Sequence, residues 1–169
     1  VQGTAEYPEL FHHSIWSALA SGAAMTPAEW NSGGSWGRPT PEMKADMARF
    51  IQFVEGIPLA RLNPERLEVS SSESQVRGWG VAGVEGGLFW VQDFALQGQP
   101  ISELRASEAL RSGVQVELNG LLDGNYTVTP YDTWRGTFLE PIPVTCQTGQ
   151  PCLVSLPDFK TDMAFKIER

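Results

Sequence analysis

Long apolar runs are missing from this sequence. No stretch of about 18 consecutive apolar residues occurs, so nothing in it reads as a membrane-spanning helix. Basic residues are in short supply, 12 Lys and Arg against 20 Asp and Glu, for a net charge of −8. No Lys/Arg cluster offsets that balance, which argues against a nucleic-acid partner and leaves neutral polymers such as polysaccharides open. No signal peptide opens the chain, and the abrupt start at Val1 is expected of a processed, trimmed or fragmentary product. Catalytic and nucleotide motifs are absent too. No G-x-S-x-G elbow surrounds any serine, Ser70–Ser72 included. The glycines of RGWGVAGVEGG sit in a strand hairpin rather than a strand-to-helix phosphate loop.

Cysteine is reduced to two residues, Cys146 and Cys152, in PVTCQTGQPCLVSL. Gly149 and Pro151 make the intervening stretch a turn, so the two thiols face each other across a hairpin. No His lies close enough in sequence to suggest zinc. A structural disulfide is expected, and with it an oxidising, secreted location.

What is present is ordinary globular material, 41% hydrophobic and 19% charged, in two halves of different period. Residues 1–62 read as a helical segment. PELFHHSIWSALASG carries Leu10, Phe11, Ile15 and Leu19 on one face, and Gly22 ends it. AAMTPAEWNSGGSWGRPT reads as a brief strand running into a loop. Thr40-Pro41-Glu42 is a helix start, with cap, proline and acid in order. Met43, Met47, Phe50 and Val54 then mark a helix face that Gly56 and Pro58 close. Residues 63–75, rich in serine, read as a linker.

From Val76 to Arg169 the period is two. WGVAGVEGGLFWVQDF reads as two strands joined at Glu85-Gly86-Gly87. Further alternating runs follow in GVQVELNGL and NYTVTPYDTW, then at 138–145, at 152–156 and near Ala164–Ile167. Six or seven short strands imply an antiparallel β-sandwich, jelly-roll or Ig-like, preceded by two helices. The fold class is therefore mainly β with an α-helical N-terminal segment.

The aromatic residues are the candidate binding groups, because a pyranose packs its C–H face on a π-face. Trp134 follows Asp132 in a turn-like stretch and reads as exposed, with Tyr131 beside it and Asp132 and Arg135 placed for hydroxyl groups. Phe89 and Trp90 are adjacent on a strand and point to opposite faces, so Trp90 is a further candidate. The bland alternative is that these rings fill the core; for Trp79 that is the expectation. His12 and His13, about 100° apart on a helix, do not make a metal pair. One is expected beside Trp16 and the other in solvent. Glu29, next to Trp30, has no evident carboxylate partner and reads as a solvated loop acid. No cofactor and no metal are expected.

Two segments resemble a known family. FHHSIWSALASGAAMTPAEWN is similar to the end of the catalytic (β/α)8 barrel in glycoside hydrolases of the cellulase–mannanase clan. The matching positions are His12 or His13, Trp16, Leu19, Ser21, Gly22 and Ala23, with Trp30 at the end of the eighth barrel strand. TPEMKADMARFIQFVEGIPLARLNP resembles the last barrel helix. GNYTVTPYDTWRGTF and DFKTDMAFKIER resemble the β-sandwich that follows such barrels, through Tyr126, Tyr131, Asp132, Gly136, Asp162 and Ala164. The resemblance makes Trp30 a former sugar-stacking residue. A complete barrel needs about 250 residues, and the family's two catalytic carboxylates lie on strands upstream of Val1. It thus implies a C-terminal fragment without its catalytic pair. The expected function is a non-catalytic carbohydrate-binding accessory module of a β-glucan- or mannan-active enzyme. The alternatives are a structural domain that braces the barrel, or a hydrolase active in a longer or assembled form. The helix faces must pack on the sandwich, on each other or on another copy, and self-association through them is one expectation.

Overall fold

The computed structural model describes residues 7–23, 40–59, 64–96 and 110–169. Trp30, Glu29 and the brief strand expected before them lie outside the described residues. Helix α1 (Tyr7–Ala20) ends where Gly22 takes a positive φ of 74°. Helix α2 (Pro41–Val54) starts as its sequence dictates: the Thr40 hydroxyl accepts the Met43 N–H at 3.2 Å, and Pro41 needs no donor in the first turn. Trp16 sets its ring edge-on to Phe50 and Phe53, at 5.5 and 5.2 Å between centroids, and so ties α1 to α2. No helix among the described residues is long and apolar enough to cross a membrane.

The remainder is antiparallel β structure. The strands are β1 (Glu65–Ser71), β2 (Val76–Gly83), β3 (Gly86–Asp93), β4 (Gln115–Asn119), β5 (Gly124–Asp132), β6 (Thr137–Phe138), β7 (Ile142–Cys146), β8 (Cys152–Ser155) and β9 (Asp162–Glu168). They run in the order β6-β5-β9-β3-β2-β1-β4-β8, with β7 also beside β5. The sheet curls on itself. At its ends, β7 and β8 are joined by the Cys146–Cys152 disulfide. The fold is the mainly β, sandwich-like architecture with two preceding helices that the periodicity implied.

The segment expected as a linker is instead the strand on which the curl turns. Glu65–Leu67 of β1 pair with β2, while Glu68–Ser71 pair with β4. The serine run hides a short alternation in which Leu67 is buried and Val69 partly so. The β2–β3 turn falls at Val84 and Glu85, one position earlier than expected. Gly86 is required after it, because a Cβ there would sit 2.1 Å from the Ile167 carbonyl oxygen.

Alternation sorts the side chains into two cores. Phe89, Val91, Val116, Leu118, Tyr126, Val128, Val154, Phe165 and Ile167 point into the sandwich. Leu88, Trp90, Tyr131 and Ala164 occupy the outer face of the same strands and meet Ile15, Trp16, Phe50 and Phe53 of the helices. The apolar helix faces are therefore covered by the sandwich and by each other.

Candidate functional site

Three elements converge on His12. It is 0% exposed, on the inner side of α1. Its Nδ1 lies 2.8 Å from Asp46 Oδ1 of α2, and its Nε2 lies 3.0 Å from Asp162 Oδ2 at the start of β9. Burial alone would push the imidazole pKa down, but the flanking carboxylates of Asp162 and Asp46 outweigh it and raise it to about 9. His12 is thus an imidazolium donating both N–H groups. Burial would likewise raise the Asp162 pKa, yet the charge and hydrogen bond of His12, with the Trp90 N–H, hold it well below the ordinary carboxylate range. Asp162 accepts from a ring of donors. Trp90 Nε1 and Thr133 Oγ1 each reach its Oδ2 at 2.8 Å, and Trp134 Nε1 reaches its Oδ1 at 2.7 Å. On the other side Arg49 Nη2 donates to Asp46 at 3.3 Å. Two cations and two carboxylates therefore balance within the seam between helices and sheet, as a buried ionic group requires.

Beside this node opens a cleft of about 340 Å³. Trp134, Leu110, Phe159 and Met163 supply apolar lining, and Asp132, Arg135, Asp158, Lys160 and Thr161 supply polar groups. Trp134 belongs to both structures: it lines the cleft while stacking on His12 at 3.9 Å with 14° between planes. A five-residue turn presents it. Asp132 Oδ1 accepts the Trp134 and Arg135 amides, and Gly136 takes a positive φ of 74° to let the chain return. Arg135 lies at the rim, its side chain 81% exposed and its Nε 3.7 Å from Asp132 Oδ2. His13, its side chain 25% exposed, also lines the cleft. Burial first, and then the charge of His12, lowers its pKa, so His13 is neutral. Gln92 Nε2 donates to its Nδ1 at 3.3 Å.

The site residues read from the sequence divide accordingly. Trp134, Asp132 and Arg135 come together at the cleft. Trp90 and Tyr131 do not reach it as free rings. They are 1% and 0% exposed, because they lie on the sheet face that the helices cover. Trp90 donates to Asp162, and the Tyr131 hydroxyl donates to the Arg49 carbonyl of α2 at 2.8 Å. Neither has a face to offer a sugar. Of the histidines, His12 does sit near Trp16, at 6.0 Å, but as the centre of an ionic node rather than as a packing residue. His13 is only partly in solvent.

Sequence reading missed His12, Asp46 and Thr133. Asp46 carried a signal: it falls between Met43 and Met47 on the apolar stripe of α2, and a carboxylate on such a stripe demands a partner. Both His12 nitrogens are taken by carboxylates, and among the described residues no group of three or more His, Cys, Asp or Glu is placed to hold a metal ion. No protein-family model matches the chain, and no curated protein matches it.

Proposed function

We propose that this chain is a non-catalytic accessory module of a β-glycan-active glycoside hydrolase, with sugar held in the cleft beside Trp134. The make-up of that cleft carries the reading. An indole wall and apolar lining suit the C–H face of a pyranose, and polar groups of both signs around it suit its hydroxyls. The resemblance to the region following a (β/α)8 barrel supports the enzyme class. The Cys146–Cys152 bridge supports an oxidising compartment outside the cytoplasm. The test is affinity electrophoresis of the full chain through gels containing β-glucans or mannan. Retardation by one of them, lost in Arg135→Ala, is expected. That substitution removes a side chain already in solvent and leaves the fold intact. Unchanged mobility in every gel would end the sugar-binding reading.

The second reading is a domain that braces a catalytic barrel. The buried node favours it, since His12 locks the barrel-like helices to the sandwich through charges that lose their partners if the two separate. Bracing alone predicts no retardation and a large loss of stability in His12→Gln.

A further inference from the structure

The form of the cleft bears on which part of a glycan it takes, an inference that rests on the sugar-binding reading above. A surface that grips the flank of a long polymer needs several exposed rings in a row, each stacking one unit. Among the described residues no such row lines the cleft. Trp90 and Tyr131 are roofed by helices. Phe138, an exposed aromatic, is packed beside Phe53 and Tyr131 and does not line the cleft. Trp134 has one ring face against His12, so a single face is left for a ligand. The volume, about 340 Å³, is at the lower end of the roughly 300–1,000 Å³ usual for small-molecule sites. The charges also point one way. Asp132 and Asp158 are balanced by Arg135 and Lys160, while His12 neutralises Asp162 from behind. Nothing in that set selects an acidic or sulfated sugar.

From this we propose that the cleft is a binding site for the terminal pyranose of a neutral β-glycan, stacked on Trp134 and hydrogen-bonded at its hydroxyls by Arg135 and Asp132, rather than for an internal stretch of polymer. The experiment titrates the full chain with β-1,4-linked gluco- and manno-oligosaccharides of one to six units. Binding is followed by the NMR shift of the Trp134 indole N–H. Affinity is expected to reach its full value by two units and to stay level to six. Arg135→Ala is expected to weaken it about tenfold, the loss of one charged hydrogen bond. Trp134→Phe, whose folding is checked by thermal unfolding and whose binding is read by titration calorimetry, should keep part of the binding because the ring remains. Affinity that climbs with every added unit would overturn the chain-end proposal while sparing the sugar-binding reading. Preference for uronate oligomers would overturn the neutral class. If no saccharide moves the Trp134 signal, both this proposal and the reading beneath it fall.

Discussion

His12 concentrates more consequence than any other side chain described, because both its nitrogens are committed to buried carboxylates on different elements. His12→Gln leaves Asp46 and Asp162 in the seam without the cation between them. Removing one member of such a pair costs roughly 3–5 kcal/mol. The pH dependence follows from the directions of the shifts. The folded His12 pKa, about 9, is above its ordinary 6.5, so its contribution is complete below 6.5 and disappears as pH rises through about 9. His13 is shifted the other way and opposes folding as pH falls below 6.5. Asp162, with a depressed pKa, adds stability above the ordinary carboxylate value of 3.8 that is lost in stronger acid. Thermal unfolding across pH should therefore show a maximum near 6.5, with an alkaline fall that His12→Gln abolishes along with much of the stability. A wild-type Tm unchanged between pH 6.5 and 10 would contradict the charged node. Little of this was legible in the sequence. The partners of His12 lie 34 and 150 positions away, beyond any local period, and only Asp46 on its apolar stripe hinted at them.

At the scale of elements, legibility tracked the range of the determining contact. The start of α2 was readable because cap, proline and acid act within one turn. The Cys146–Cys152 bridge was readable because its cysteines are six positions apart, but the hairpin expected around it does not form, since β7 pairs with β5 and β8 with β4. Strand β1 was not readable. Its second half pairs with the distant β4 rather than with the adjacent β2, and its serines, outward on a curled sheet, imitate a linker. The disulfide joins the two ends of the strand order, where no continuous ladder holds β7 to β8. Closing so short a loop restricts the unfolded chain only moderately, so replacing both cysteines with serine should lower stability by on the order of 2 kcal/mol. Urea unfolding measures it. Because Cys146 and Cys152 also fill the sandwich core, a loss near zero would show that the bridge carries no part of the closure.

For the whole molecule, the division into a helical part and a separate sandwich does not describe how the chain is held together. Strands β3 and β9 are buried on both faces, one by the sandwich core and the other by α1 and α2. Trp90, Tyr131, Leu88 and Ala164 share one apolar cluster with residues of those helices, and Tyr131 and Asp162 bond to them directly. The helices in turn bury Trp16 and Phe53 against that face. Two parts that share a core this way unfold together. Helical ellipticity and tryptophan fluorescence should consequently fall in a single coincident transition. Truncation separates the contributions. A chain of residues 76–169, the sandwich as the sequence period delimits it, lacks β1 and so loses the strand joining β2 to β4; it should give the poorly dispersed NMR spectrum of an unfolded chain. A chain of residues 64–169 keeps every described strand, β1 to β9, but bares the outer sheet face. It should fold and then self-associate through that exposed apolar patch, as sedimentation would show. A dispersed, monomeric spectrum from 76–169 would mean that β1 is dispensable and that the sheet closes without it.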